Sequence, residues 1–386
     1  MVKLLYIADY TERYPHELIK GILDYSKDNE RFIIYKMPMS YYRSVGTGDV
    51  IELAIKKKID IVVGQINSKE DILGFIHGGA VVFTPVLRHK MTGVVNIVTD
   101  NRQAGRLAAD HFVEQGFKNT AFLGYKGVYW SEDRCSGFCE RLKELGQNAP
   151  VSIYSKYKKV NTLDYDPAPI LKWLQSLPKP VAIWCCDDNA AFVLQDVCEL
   201  GGISCPAEVA IAGVDNDEII CTMSEPPISS IQVDVRRGGW LLAQRALDII
   251  NGDKNWEEIK LKPLYMVPRE STSLIVSDDK PVFLAIRFIR SHADKKIKVD
   301  DVLKEVPLSR RLLEVRFKKT TGKTLYQYIL EHRIEYFKKL LLESDQSVAN
   351  IAAMMEESDT KIISRAFKKL YGMSPSEFRK NSGGRN

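Results

Sequence analysis

The chain has 386 residues, 45% apolar and 27% charged, which excludes a collagen-like or disordered polymer and is too long for one ordinary domain. Its net charge of +5 hides a division: from Pro281 onward 22 Lys plus Arg stand against 13 Asp plus Glu, net +9, and residues 1–280 hold 33 against 37, net −4. A near-neutral body therefore carries a basic module, the signature of a polyanion partner.

Short β-rich runs alternate with helical stretches over the first 270 residues or so. Strands are predicted at Lys3–Ala8, Phe32–Lys36, Ile59–Val63, Ala80–Phe83, Val94–Val98, Thr120–Leu123, Val151–Tyr154, Val181–Cys185 and Val209–Ala212. Helices are predicted at Gln103–Gln115, ended by Gly116, and at Asn189–Leu200, ended by Gly201-Gly202. Continuous apolar strands separated by helices imply an α/β body of two lobes, each a doubly wound parallel sheet covered on both faces. Such sheets bind ligands beyond the carboxyl ends of their strands. Polar groups recur there: Asp9-Tyr10, Thr99-Asp100-Asn101, Asp187-Asp188-Asn189 and Asp215-Asn216-Asp217. Carboxylates and amides so placed can hydrogen-bond a polyol, although each can equally cap the helix that follows.

A linker is expected at 273–280, within the run from Ser271 to Lys280, and an all-α module at 281–386. There the chain nearly repeats at an offset of 50 residues: Arg316-Phe-Lys-Lys-Thr-Thr-Gly322 matches Ala366-Phe-Lys-Lys-Leu-Tyr-Gly372, and Thr324 and Tyr328 match Ser374 and Phe378. Each copy reads as helix, turn, helix. In the first, Val299–Glu305 leads through Val306-Pro307-Leu308 to Ser309, an N-cap residue for a helix over Arg310–Thr320. Leu312, Leu313 and Phe317 are expected to face inward, with Arg310, Arg311, Glu314 and Lys318 outward. In the second, Ser347–Met355 leads through Glu356-Glu357-Ser358 to Asp359 and a helix over Thr360–Leu370. Ile363, Ala366, Phe367 and Leu370 are expected inward, with Lys361, Ser364, Arg365 and Lys368 outward. Second helices of this kind can enter the major groove, which makes Ser309, Arg310, Arg311, Glu314, Lys318, Thr360, Lys361, Ser364, Arg365 and Lys368 the candidate DNA-binding residues. A connecting helix over Thr324–Glu343 spans about 30 Å, close to one turn of B-DNA.

This repeat resembles the DNA-binding domain of AraC/XylS-type transcription regulators over all of 281–386, most specifically in Ser347-Val-Ala-Asn-Ile-Ala352 and Ser364-Arg-Ala-Phe-Lys-Lys-Leu-Tyr-Gly-Met-Ser-Pro-Ser-Glu-Phe-Arg379. One departure is Glu356-Glu357, where the family has Gly then Phe; two acids near phosphates are expected to weaken that unit. Residues 1–272 resemble LacI-type, periplasmic-binding-protein-like sugar sensors. The carrying segments are Val98-Thr-Asp-Asn-Arg-Gln-Ala-Gly105, Ser131-Glu-Asp-Arg-Cys-Ser-Gly-Phe138, Ala210-Ile-Ala-Gly-Val-Asp-Asn216 and Val267-Pro-Arg-Glu-Ser-Thr272.

The combined resemblance implies a sugar-responsive DNA-binding transcription regulator, an activator of pentose-utilisation genes. Ligand contacts carried over from it are Arg134 first, then Asp187 and Asp215. Asp9, Tyr10, Tyr14 and Trp130 are placed to complete a pocket, with aromatic rings over the apolar face of a sugar, and Trp130 serves equally well as core packing. The implied partners are double-stranded promoter DNA, a pentose effector with D-xylose foremost, RNA polymerase and a second copy in a homodimer.

No apolar run reaches the roughly 18 residues of a membrane span and no signal peptide opens the chain, so the cytoplasm is expected and no membrane partner. Seven Cys without CxxC spacing suggest buried free thiols rather than disulfides or zinc. GxxxxGK[ST], GxSxG and HExxH are all absent, so neither an enzyme nor a cofactor or metal is expected.

Overall fold

The computed structural model describes residues 1–386 except 67, 88, 148–150, 157–164, 254–255, 274–278, 345, 358 and 382–386, with backbone alone at 280, 283, 287, 291, 343 and 381. The chain divides into two compact units, Met1–Leu274 and Ile275–Asn386. Most of the expected linker, and Ser358 of the second turn, lie outside the described residues.

Within the first unit the strands are β1 (Val2–Ala8), β2 (Phe32–Pro38), β3 (Ile61–Gly64), β4 (Val81–Pro85), β5 (Val95–Thr99), β6 (Asn119–Tyr125), β7 (Ser152–Lys156), β8 (Val181–Cys185), β9 (Val209–Val214), β10 (Ser229–Val233), β11 (Ile259–Leu261) and β12 (Pro263–Val267). The helices are α1 (Arg13–Asp28), α2 (Met39–Val45), α3 (Thr47–Lys57), α4 (Lys69–His77), α5 (Asn101–Glu114), α6 (Tyr129–Glu144), α7 (Pro167–Ser176), α8 (Asp188–Leu200), α9 (Glu218–Met223) and α10 (Val235–Ile250).

They form two lobes with one sheet each, ordered β11-β5-β4-β3-β1-β2 and β12-β10-β9-β8-β6-β7. All pairings are parallel except β10 with β12, which is antiparallel. In each sheet the strand order reverses beside its first strand, so the switch points where such sheets bind ligands lie beyond β1 in lobe 1 and β6 in lobe 2. The chain passes between lobes three times, after β5, after β10 and between β11 and β12. Asp100 and Asp234 mark two of the passages, each capping the next helix through Gln103 N and Arg237 N.

Three strands escape the sequence pattern. β10 carries Ser229, Ser230 and Gln232, all buried, β11 is three residues long and β12 opens on Pro263. Ser229 and Ser230 are tolerated inside because Thr272, Arg269 and Asp188 satisfy their hydroxyls. Helix pairs approach closely at glycines. A Cβ on Gly21 of α1 would stand 1.8 Å from the Arg236 carbonyl oxygen of α10, and one on Gly137 of α6 would stand 2.3 Å from that of Arg102 in α5. Of the seven thiols, Cys135, Cys139 and Cys205 are only half-buried, a departure from the expected burial because their helix and loop faces reach the surface. Among the described residues no helix is long and apolar enough to cross a membrane.

The second unit is helical: α11 (Lys280–Ser291), α12 (Val299–Lys304), α13 (Arg310–Thr321), α14 (Leu325–Glu343), α15 (Val348–Met354), α16 (Thr360–Tyr371) and α17 (Pro375–Asn381). Its two cores share α14. Leu325, Tyr328 and Ile329 pack with Leu313 and Phe317 of α13, while Ile334, Phe337 and Leu341 pack with Ile351, Ile363 and Phe367. The repeat is structural as well as sequential: Phe317 meets Tyr328 edge-on at 5.3 Å, and Phe367 meets Phe378 edge-on at 5.3 Å. Gly322 and Gly372 close the two second helices at φ 71° and 75°, left-handed values that a Cβ disfavours.

Candidate functional site: the lobe junction and two exposed helix faces

Arg134 is drawn inside by the close crossing of α5 and α6. Gly105 and Gly137 let the helix backbones touch, Phe138 anchors α6 against Trp184 at 5.4 Å, and the buried Asn101 at the start of α5 comes beside the guanidinium. Arg134, 4% exposed, donates from Nε to Asn101 Oδ1 at 3.0 Å and from Nη1 to the Cys186 carbonyl. Its Nη2 stands 3.5 Å from Asp215 Oδ1, a loose pair, and the Trp130 ring lies 5.0 Å from the guanidinium carbon. The Arg-Cys-Ser-Gly-Phe segment thus has a physical basis: the arginine is presented by the glycine and phenylalanine that follow.

Asp215 occupies an unusual backbone. At φ 101° it precedes Asn216 at φ 51°, both in the left-handed region. Several bonds hold this turn. Asp188 accepts from Asp217 N at 2.7 Å and from Ser230 Oγ at 2.5 Å, Ser230 Oγ accepts from Asn216 N, and Arg269 donates to Asn216 Oδ1 at 2.6 Å. Gly213 is required, since a Cβ there would stand 2.2 Å from Asp188 Oδ1. Burial, reinforced by the charge of Asp215, pushes the Asp188 carboxyl up to about 8.

Lobe 1 reaches this turn through Arg13, the first residue of α1. Its Nη1 donates to the carbonyls of Asp215 and Asn216 and to Gln232 Oε1, at 3.0, 2.6 and 3.1 Å, and its amide donates to Asp217 Oδ2 at 3.0 Å. A second link joins Tyr129 N to the Leu87 carbonyl. Asn101 belongs to one of the strand-end polar groups singled out in the sequence, whereas Arg13 was not expected from it. A signal for Arg13 was present: a cation at a helix N-terminus opposes the helix dipole and calls for a nearby acceptor.

Of the expected ligand residues, Arg134, Asp215 and Trp130 meet directly. Tyr14 joins them electrostatically, since burial raises its phenol well above the ordinary range and the Asp215 charge adds to that. Asp187 caps α8, accepting from Ala190 N at 2.7 Å beside the Cys186 carbonyl that Arg134 engages. Two residues are occupied within lobe 1. Asp9 accepts from Thr11, and Tyr10 donates to the Tyr6 carbonyl, with the Lys36 ammonium 4.4 Å from its ring.

On the helical unit Arg310, Arg311, Glu314 and Lys318 are exposed on α13, as are Lys361, Arg365 and Lys368 on α16. Ser309 is exposed at the N-cap position of α13, and Thr360 and Ser364 are half-buried. Arg310 pairs with Glu314 at 3.0 Å and Asp300 at 3.2 Å. Leu312 and Leu370, expected inward, are each 44% exposed. Each helix packs on one side only, and the stripe is filled by Leu313 with Phe317 and by Ile363 with Phe367. Glu357 also departs from expectation. It is buried and accepts from Lys296 Nζ at 2.9 Å and Arg333 Nη1 at 3.3 Å, so its charge is neutralised within the unit.

Residues 109–272 match the periplasmic binding protein-like domain family and residues 302–381 a helix-turn-helix domain family. The xylose operon regulatory protein of Haemophilus influenzae is 32% identical over 291 residues, covering 74% of each chain. That of Escherichia coli K12 is 29% identical over 296 residues, covering 73% of each. Among solved structures, one described as the xylose-binding transcription activator xylR aligns over 98% of both chains with a TM-score of 0.59 at 23% identity. A LacI family regulator from Enterococcus faecium with bound ribose aligns over 69% of this chain and 98% of its own, with a TM-score of 0.55 at 20% identity. The two solved structures share the fold; the Haemophilus relative, with both domain matches, establishes that the chain belongs to the family of xylose operon regulatory proteins, transcription regulators that join a periplasmic-binding-protein-like sensor to an AraC-type helix-turn-helix domain.

Proposed function

We propose that the sensor binds a pentose, D-xylose, between its lobes and that the protein, as a homodimer in the cytoplasm, activates pentose-utilisation genes by presenting promoter DNA to RNA polymerase. The observation that carries the sugar assignment is the loose Arg134–Asp215 pair. Two of the arginine's donors are fixed by Asn101 and the Cys186 carbonyl, so Nη2 is held rigidly 3.5 Å from a carboxylate. A sugar diol can accept from Nη2 and donate to Asp215, replacing a weak contact by two charge-assisted bonds. Trp130 beside them offers a ring for the apolar face of the sugar. The names of the relatives and of the xylR fold neighbour support the choice of xylose.

Binding can alter transcription only if sugar and DNA favour the same arrangement of the protein. Arg13 supplies the basis on the sensor side, since it ties lobe 1 to the same turn that holds Asp215. In this scheme Arg311, Lys318, Lys361, Arg365 and Lys368 supply the DNA contacts.

A thermal-shift panel of pentoses and hexoses tests the sensor. D-xylose at 100 times its dissociation constant should stabilise the protein by about 2.7 kcal/mol. Arg134→Ala should abolish that shift while leaving DNA affinity in the absence of sugar unchanged. Arg311→Ala should weaken DNA and leave the sugar shift intact. If no sugar shifts the wild-type protein, the sensor assignment fails.

A further inference from the structure

The outward faces of α13 and α16 are not uniformly basic. Each helix has an adjacent aliphatic pair at its third and fourth residues, and the two members part company. Leu313 and Ile363 are buried, whereas Leu312 is 44% and Ile362 49% exposed. Leu312 and Ile362 stand at the same place in the 50-residue repeat. On α13 Val315, three residues after Leu312 and so beside it on the helix surface, is 61% exposed. It lies one turn after Arg311 and one turn before Lys319, both exposed. In the second copy the place of Val315 is taken by Arg365. Near the start of each helix the exposed face of α13 is therefore a two-residue aliphatic patch with basic neighbours, and that of α16 is one aliphatic beside an arginine, with the exposed Leu370 two turns further on.

A single exposed aliphatic needs no explanation. Recurrence at one repeat position, among the cations that would approach phosphates, does. Residues near the start of a recognition helix reach base edges, while the surrounding cations hold the backbone. The apolar group that a base displays in the major groove is the thymine C5-methyl, and aliphatic side chains contact it. We propose that Leu312, Val315 and Ile362 read thymine methyl groups. The half-site under α13 would then be marked by thymines, and that under α16 by a thymine next to a guanine facing Arg365. This rests on the reading that α13 and α16 enter the groove.

The test uses the full chain and duplexes that it selects from a random-sequence library. Each thymine of a selected duplex is replaced in turn by uracil, which keeps the base pair and removes only the methyl group, and affinity is followed by fluorescence anisotropy. Each methyl buried against these side chains should be worth roughly fourfold in affinity. In Val315→Ala, Leu312→Ala and Ile362→Ala the thymine-to-uracil ratio should fall to about one at the position each side chain reads, and Val315→Ile should retain it. A general loss of folding would lower affinity for both duplexes and leave the ratio unchanged. A flat uracil scan of the wild-type protein overturns the proposal, as does a discrimination that survives all three alanine variants. Loss of activation with unchanged DNA affinity and a flat scan would assign the patch to a protein partner instead. Failure to bind any duplex in a salt-dependent way would sink the groove reading itself, a distinct outcome.

Discussion

The two helix-turn-helix units share a 50-residue repeat, matching edge-on aromatic pairs and matching left-handed glycines, yet they close their turns with opposite chemistry. In the first, Val306 is buried and Pro307 exposed; in the second, the equivalent Glu356 is exposed and Glu357 buried. An apolar plug in one copy is thus replaced by an ionic one in the other. Glu357 ties the second turn to Lys296, ahead of α12, and to Arg333 in the middle of α14, whose Nη2 also donates to the Met355 carbonyl at 2.9 Å. The lesson is that an acid in a turn near DNA need not repel phosphate. What matters is whether its carboxylate has already been neutralised inside the protein.

The sharpest way to break this comparison is Glu357→Ala. It leaves the buried Arg333 without its carboxylate, which should cost about 3 kcal/mol, the low end for a broken buried pair because Lys296 stays solvated and the Met355 carbonyl still accepts from Arg333. Val306→Ala, the equivalent lesion in the first unit, removes two methyl groups and should cost about 2 kcal/mol. The two differ in pH dependence. Burial alone would raise the Glu357 carboxyl, but the bonds from Lys296 and Arg333 hold it below the usual carboxylate range. A depressed acid stabilises the fold above its unfolded value of about 4.3 and loses that contribution as pH falls through the folded value. The cost of Glu357→Ala should therefore shrink on acidification, and that of Val306→Ala should not. All five tryptophans lie before residue 275. Both units are rich in helix, so in a urea titration tryptophan fluorescence follows the first unit alone, and the loss of helical circular dichroism that does not coincide with it reads the helical unit.

The same contrast explains what the sequence could and could not disclose. The nine predicted strands and both helix-turn-helix units are found because their apolar period is strong. β10 is missed because Ser229 and Ser230 look solvent-facing until Thr272, Arg269 and Asp188 are folded against them. Glu357 is misjudged for the same reason, since its partners lie 61 and 24 residues away. Leu312 and Leu370 are misplaced because apolar character alone does not say which helix side finds a partner. Where the lobes meet, Arg134 and Asp215 are singled out from motifs, but Arg13 becomes meaningful only when lobe 1 is set against residues 202 to 204 positions away.

A gain should be available at Glu356. It sits at φ 57°, where the AraC-type pattern has glycine, and its side chain makes a long 3.4 Å contact with Lys296 N. Glu356→Gly should relieve left-handed strain and stabilise the helical unit by about 1 kcal/mol. Val306→Gly, at the matching place, should instead destabilise it by removing a core side chain. Gains at both positions in the same urea titration would mean that the turns are alike after all.

The smallest difference concerns the caps of the second helices. Asp359 accepts from Lys361 N at 2.9 Å at the start of α16, whereas Ser309, its counterpart at the start of α13, makes no side-chain cap bond. Removing a bonded cap typically costs about 1 kcal/mol, so Asp359→Ala should show that loss and Ser309→Ala only a few tenths. Ser309 is exposed and its hydroxyl is not used by the helix, which leaves it available to a phosphate. Ser309→Ala should accordingly lower DNA affinity more than it lowers stability. Asp359→Ala should lower stability and, if α16 enters the groove as proposed, raise DNA affinity at low salt by removing a negative charge at its N-terminal end. Titrations at two salt concentrations separate the two, because only the charge effect of Asp359 should fade as screening increases.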